Sequence, residues 1–162
     1  MAIYDRDYVF RNSHGRGGGG GMSANKALIL ANVAVFIGQL ATQQNVGPDL
    51  LSKFGAFSTY EMIKNLEFWR VLTFQFLHAN IMHILMNMIG LWVFGQFVEA
   101  YLGRARYLAL YLTSGISGAA MYMLLNAAGE IAASNGATGI PLLIYNSFNT
   151  PLVGASAGVF GV

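Results

Sequence analysis

Apolar stretches without charge alternate along this chain with shorter polar segments. Residues 77–98 contain no Asp, Glu, Lys or Arg, and a helix of this length can cross the hydrocarbon core of a bilayer. A second apolar stretch occupies 107–128, where many small residues allow helix backbones to approach closely. A weaker one at 26–43 is interrupted by Asn32 and Gln39. The pattern predicts an all-α membrane protein, a polytopic bundle of transmembrane helices.

The segments outside these spans differ in composition. Residues 1–25 are polar and include five consecutive glycines, which predicts a flexible cytoplasmic tail. Residues 44–75 mix charges with many aromatic side chains and suit the membrane interface. An uncharged polar loop precedes a fourth span that begins near Val153. We therefore expect a partial transmembrane domain, 26–162, with three full spans and the start of a fourth at 153–162.

The overall composition is typical of a membrane protein. Of the 162 residues, 55% are hydrophobic and only 10% are charged, whereas a soluble domain carries about 25% charged residues. The net charge of +2 is too small and too scattered to indicate a nucleic-acid-binding protein. Cysteine is absent, which excludes disulfides and cysteine-based metal sites.

Lysine and arginine predict the orientation of the bundle. The tail and Lys26 carry four basic residues, and the short connection 99–106 carries two, whereas residues 131–162 carry none. The positive-inside rule then places the N-terminus and this connection in the cytoplasm. We expect a multi-pass protein of a bacterial inner membrane, with the fourth span starting at the outer face.

Two polar side chains share one face of the second predicted span. His83 and Asn87 are four residues apart, which separates them by about 40° around a helix, whereas His78 is about 140° away from His83. Polar groups at membrane depth need a partner or a function. This pair could donate hydrogen bonds to the oxyanion that forms during acyl transfer. The alternative is that both residues only bind neighbouring helices.

A serine in a run of small residues completes this hypothesis. Ser156 is flanked by Gly154, Ala155, Ala157 and Gly158 and lies in the same half of the bilayer as the polar pair. Small neighbours would admit a substrate backbone to the hydroxyl nucleophile. The same letters fit the G-x-S-x-G elbow of soluble hydrolases, but that elbow requires a preceding strand. The remaining alternative is a small-residue contact between helices.

Other chemistries fit these residues less well. Two histidines five residues apart do not point at one ion, and no Asp, Glu or Cys lies near them in the span, so we expect no metal or haem. The glycine run is not followed by the GK[ST] of a phosphate-binding loop, and we expect no other cofactor. A channel or transporter would need paired ionisable residues within the spans, and the sequence has none there.

Taken together, these residues resemble the N-terminal part of a rhomboid family intramembrane serine protease. The resemblance covers about 26–162. It rests on Trp69-Arg70, on His78, His83 and Asn87 in the spacing H-x4-H-x3-N, on Gly95, Glu99, Gly103 and Arg104, and on Gly154-Ala155-Ser156. Many relatives have glycine directly after the serine, where this chain has Ala157.

The resemblance implies a role for each of these residues. Ser156 would be the nucleophile, and His83 and Asn87 would stabilise the oxyanion. The supporting positions would be His78, Gly154, Trp69 and Arg70. The substrates would be transmembrane proteins of the same lipid bilayer, with helix-weakening residues near the scissile bond.

The general base of the family is a histidine on a later span. This chain ends six residues past Ser156, inside an unfinished helix, so we expect a piece of a longer protein that is inactive by itself. The alternative within the family is a non-catalytic relative that binds or escorts membrane clients. The sequence after Val162 would distinguish the two, because only the enzyme needs the histidine.

Overall fold

A computed structural model describes residues 21–43, 48–136 and 151–162. Within these ranges the backbone forms helices and one isolated antiparallel bridge, without a strand. The all-α prediction is therefore confirmed. In chain order the helices are α1 (Ala24–Ala41), α2 (Leu50–Gly55), α3 (Thr59–Lys64), α4 (Arg70–Thr73), α5 (Ile81–Leu102), α6 (Arg104–Ser134) and α7 (Ser156–Gly161).

Three of these helices, α1, α5 and α6, are long and apolar enough to cross a membrane. The chain is a multi-pass integral membrane protein. A 3₁₀ turn, Phe74–Phe76, follows α4, and α5 contains a π-helical turn, Leu91–Gly95. The short helices α2 to α4 lie in the connection between α1 and α5, which we call loop 1 (48–80).

The helices differ from the predicted spans at several ends. α1 lies two residues before the predicted 26–43, the predicted connection 99–106 is helical except at Gly103, and α7 begins at Ser156 rather than near Val153. α5 begins at Ile81 rather than at residue 77, because Asn80 is extended and its side chain accepts a hydrogen bond from the backbone N–H of His83 at 2.9 Å. α6 continues to Ser134 and so includes the first residues of the predicted outer loop. The rest of that loop, 137–150, and most of the predicted tail lie outside the described residues.

Loop 1 is held together by one buried arginine. Arg70 forms an ion pair with Glu67 and donates hydrogen bonds to the backbone carbonyls of Ala56 at 2.7 Å and Lys53 at 3.0 Å. The guanidinium has five N–H donors in a rigid plane and can bind several acceptors at once. One side chain therefore joins α2, the turn after it and the start of α4.

Trp69, the residue before Arg70, lies at the surface of loop 1. Its side chain is 52% exposed, and its indole N–H donates a hydrogen bond to the carbonyl of Phe54 at 3.1 Å. An aromatic body with a satisfied polar tip is typical of residues at the membrane interface. The interfacial location of the segment stays a prediction.

Hydrogen bonds made by side chains connect the long helices. Asn25 of α1 donates to the carbonyl of Leu91 at 2.9 Å and accepts from the hydroxyl of Tyr107 at 2.7 Å. In lipid, apolar contact alone gives little helix association, so such bonds carry more of the packing. The buried apolar cluster around them consists of Ala24, Leu28, Leu91, Tyr107, Tyr111 and Ala155.

Glu99 joins α5 to the start of α1. Its carboxylate accepts hydrogen bonds from the backbone N–H groups of Ala24 at 2.7 Å and Asn25 at 2.9 Å. The first N–H groups of a helix lack partners within the helix, and negative charge is favourable at that end. Ser23 caps α1 in addition, since its hydroxyl accepts from the N–H of Lys26 at 3.2 Å. These bonds determine where α1 begins.

We expect Glu99→Gln to lower the free energy of unfolding by about 1–2 kcal/mol, because the amide keeps one acceptor and loses the charge. Thermal unfolding of the purified protein in detergent measures this loss. The control is Glu130→Gln in α6, since the described residues offer Glu130 no polar partner. Equal losses for the two variants would contradict the capping role.

Candidate active site

Ser156 is the first residue of α7, and backbone bonds to loop 1 hold the chain that leads to it. Leu152 exchanges two hydrogen bonds with Phe57, of 3.0 and 2.7 Å. The N–H of Gly154 donates to the carbonyl of Phe74 at 3.0 Å. Backbone hydrogen bonds to loop 1 therefore contribute to the position of Ser156.

Gly154 brings this backbone against His83. Its φ of +129° lies in the half of conformational space that residues with a side chain rarely adopt. A Cβ at this position would lie 2.5 Å from Cε1 and 2.7 Å from Nε2 of His83, and 3.6 Å from the hydroxyl oxygen of Ser156. The imidazole and the hydroxyl thus both lie beside Gly154. The structure brings these three predicted site residues together.

Small residues pack α7 against α5 and α6. A Cβ added at Gly90 of α5 would meet Val159, and one added at Gly118 of α6 would meet Ala157, each at 2.7 Å. Approach at this distance is typical of helices that associate in a membrane. The small-residue run around Ser156 therefore forms a helix contact, as the alternative interpretation of the sequence predicted, and it also holds Ser156 beside α5.

Asn87 lies on the buried side of α5, with 6% of its surface exposed. Its side-chain nitrogen has no hydrogen-bond partner among the described residues, which costs free energy in an apolar environment. Gly90, three residues after Asn87, packs against Val159, three residues after Ser156. Asn87 and Ser156 therefore each lie about one turn before the same contact between α5 and α7.

His78 precedes α5 and lies buried next to His83. The two ring centroids are 5.3 Å apart with planes at 72°, and the ring of Phe36 is 6.3 Å from that of His78. Neither ring nitrogen of His78 has a hydrogen-bond partner among the described residues. Burial, and secondly the charge that His83 can carry, lower the pKa of His78 from 6.5 to about 4. His78 is therefore neutral near pH 7.

Comparison with known proteins identifies the family of this chain. A family model described as the Rhomboid domain matches residues 65–162. The chain belongs to the rhomboid family. RHOMBOID-like protein 1 of Arabidopsis thaliana is 35% identical over 120 residues, which are 70% of this chain and 30% of that protein. Rhomboid protease AarA of Providencia stuartii is 31% identical over 145 residues, 88% of this chain and 49% of the relative.

A third rhomboid relative, rhomboid protease GluP of Bacillus subtilis, is 40% identical over 70 residues, 43% of this chain and 14% of that protein. The chain thus spans less than half the length of these curated relatives. Some of them are named as proteases and others only as rhomboid-like. No solved structure matched the chain.

Two of the predicted positions in this rhomboid domain, Trp69 and Arg70, bind the backbone of loop 1 rather than Ser156 or its neighbours. Asn80 and the carbonyl of Phe74 also position the site and were not among the predicted site residues. An asparagine directly before an apolar run is a recognisable helix start, so Asn80 could have been found. Among the described residues, no three His, Asp or Glu side chains are grouped so that they could hold a metal ion.

We expect Gly154→Ala to destabilise the rhomboid domain more than Gly136→Ala, measured as the loss in thermal unfolding temperature in detergent. Both glycines have positive φ, and at Gly136 a Cβ meets open space, so that variant pays about 1–2 kcal/mol of backbone strain alone. At Gly154 the methyl group also overlaps His83, which adds about 1–3 kcal/mol. A similar loss for both variants would contradict the close approach to His83.

Proposed function

We propose that the chain is the N-terminal part of a serine endopeptidase that cleaves transmembrane proteins inside the bilayer, with Ser156 as the nucleophile. The observation that carries the proposal is that the imidazole of His83 and the hydroxyl of Ser156 both lie beside Gly154. Family membership supports it, since the relatives AarA and GluP are named as proteases. The substrates in this proposal are membrane proteins whose helices unwind locally at the site.

The reaction begins when the hydroxyl oxygen of Ser156 attacks the carbonyl carbon of the scissile peptide. The proton of the hydroxyl passes to a general base, because a serine is a weak nucleophile without one. In the proposal this base is a histidine on a span after Val162. The C–N bond of the tetrahedral intermediate then breaks, and the base protonates the leaving amine. Water from the outer face hydrolyses the acyl-enzyme ester and restores the serine.

Two donors on α5 and one on α7 would stabilise the oxyanion. The side-chain nitrogen of Asn87 is buried without a partner, and an N–H on Nε2 of His83 can donate from beside Gly154. The backbone N–H of Ser156 is the third donor. Fixed donors in a dry site stabilise the charged intermediate more than the neutral substrate, and this difference lowers the barrier.

The supporting residues act through the fold in this proposal. His78 packs edge-on against His83 and limits the motion of its ring. Arg70, with Trp69 beside it, holds the turns of loop 1. The segment before Ser156 is hydrogen-bonded to this loop through Leu152 and Gly154. No metal or organic cofactor takes part in this chemistry.

The charge distribution supports an orientation with the N-terminus in the cytoplasm and Ser156 towards the outer face. In the proposal, this orientation lets hydrolytic water enter from outside the cell or organelle. Relatives include a plant protein and one named as mitochondrial. We therefore propose an integral membrane protein without assigning it to a bacterial inner membrane or to any other membrane.

A non-catalytic protein that binds or escorts membrane clients is the second candidate. It is favoured by relatives such as RHOMBOID-like protein 1, whose name states no activity. A binding role does not require a hydroxyl at Ser156 or a donor at Asn87. The presence of both groups near His83 therefore supports the catalytic function over the binding function.

The direct test is covalent labelling of the full-length protein with a fluorophosphonate probe, which reacts with activated serines. We expect labelling of the wild type and none of Ser156→Ala, while Ser114→Ala, a control on the neighbouring helix α6, is labelled like the wild type. Residues 1–162 alone should not be labelled, because they lack the proposed base. Equal labelling of the wild type and Ser156→Ala would refute the assignment, and a folded wild type without labelling would favour the escort.

Removal of one oxyanion donor should lower kcat by roughly 10²–10³-fold. We expect this of Asn87→Ala, measured by cleavage of a transmembrane substrate in lipid vesicles, with KM little changed. The control is Asn126→Ala in α6, which removes another buried amide, one that donates to the hydroxyl of Thr59. If the two variants lose the same activity, Asn87 has only a structural role.

A further inference from the structure

Three buried amide side chains lie in line along α1. Asn25, Asn32 and Gln39 follow one another at intervals of seven residues, so they fall within about 40° of one another around the helix. All three side chains are buried. Asn25 binds α5 and α6, as described above. The amide nitrogen of Asn32 donates to the carbonyl of Leu28 in α1 itself at 2.8 Å. Gln39 differs from both, because its partners lie beside the candidate active site.

Gln39 binds both backbone groups of His78. Its side-chain oxygen accepts from the N–H of His78 at 3.0 Å, and its side-chain nitrogen donates to the carbonyl of His78 at 3.2 Å. A single hydrogen bond leaves a residue free to turn about the bond, whereas two bonds to one residue fix its orientation as well as its position. The backbone of His78 is therefore attached to α1 in one geometry.

The same amide also contacts the start of α2. Its nitrogen lies 2.8 Å from the hydroxyl of Ser52 and 3.4 Å from the carboxylate of Asp49, the N-cap of α2. The amide nitrogen has two hydrogens and three acceptors within reach, so it is fully satisfied. Among the described residues, the titratable groups that face Gln39 are Asp49 and His78. Gln39 is thus the point where α1, α2 and the start of α5 meet.

His78 transmits this attachment to the proposed oxyanion donors. Its ring packs edge-on against the ring of His83. Two residues after His78, Asn80 caps α5 through the backbone N–H of His83. Movement of the His78 backbone would therefore displace both the ring that supports His83 and the turn from which His83 projects.

We propose that Gln39 is a positioning residue of the catalytic site, which holds the start of α5 so that His83 and Asn87 are aligned with the oxyanion. The inference rests on the proposed protease function. Gln39 acts through His78 and has no contact with reacting atoms in this proposal. A positioning role differs from a stabilising one because it affects the transition state in a protein that remains folded.

The test compares two apolar substitutions on α1 in the full-length protein in lipid vesicles. Gln39→Met keeps the length of the side chain and removes every hydrogen bond to His78. Asn32→Leu removes the buried amide that lies two turns before Gln39 on the same face of α1. At a temperature well below unfolding, we expect Gln39→Met to lower kcat roughly 10- to 100-fold with KM unchanged, as small misplacements of catalytic groups do. We expect Asn32→Leu to change the unfolding temperature and leave kcat unchanged.

A third variant keeps the proposal testable if Gln39→Met does not fold. In Gln39→Glu the protonated carboxyl has one O–H donor in place of the two N–H donors of the amide, so it can still bind both backbone groups of His78, and it cannot donate when it is ionised. The kcat of Gln39→Glu relative to wild type at the same pH should therefore rise as the pH is lowered. A ratio that is independent of pH would overturn the proposal, as would an unchanged kcat in folded Gln39→Met.

Failure of this inference is distinguishable from failure of the proposed function. If the wild type is labelled by the fluorophosphonate and Ser156→Ala is not, the protease assignment holds whatever the Gln39 variants do. Under that condition, a loss of kcat in Gln39→Met no larger than that in Asn32→Leu means that Gln39 only stabilises the bundle.

Discussion

Polar groups buried in a lipid-facing bundle must find partners, and most of the architecture of this protein follows from that constraint. Lipid is as apolar as a helix surface, so apolar contact gives helices little reason to associate. The described helices are instead joined by bonds such as those of Glu99 to the start of α1 and of Asn25 to α5 and α6. Close glycine contacts hold α7 in place. The bundle is specified by a small number of directed contacts.

Loop 1 joins the buried polar contacts of the bundle to the candidate active site. It is organised by Arg70, it bonds to the chain before Ser156 through Phe57 and Phe74, and it meets α1 at Gln39. The proposed nucleophile and the proposed oxyanion donors are therefore positioned from the same loop. Substitutions in loop 1 and in α1 can alter the alignment of the site although they lie away from Ser156.

Unpartnered buried groups are present where function is proposed. The side-chain nitrogen of Asn87 and both ring nitrogens of His78 lack partners among the described residues, as do the side-chain oxygens of Asn32 and Gln75, which lie outside the candidate site. Other buried polar side chains, such as Gln39 and Arg70, are bonded several times over. A binding site for a charged intermediate must keep donors available until the reaction occurs, and it therefore carries a cost in stability that the other contacts offset.

The order of apolar and polar residues determined the all-α fold and the approximate spans, because the thickness of a bilayer fixes the length of a helix that crosses it. The helix period also determined that His83 and Asn87 share a face. Other features were decided only by the tertiary structure. In the sequence, Gln39 is a polar residue that interrupts a weak span. Its hydrogen bonds to His78 join residues that are 39 positions apart, so the sequence pattern around Gln39 does not indicate them. The approach of Gly154 to His83 likewise depends on how loop 1 and α5 pack, since no local pattern encodes a distance between separate helices.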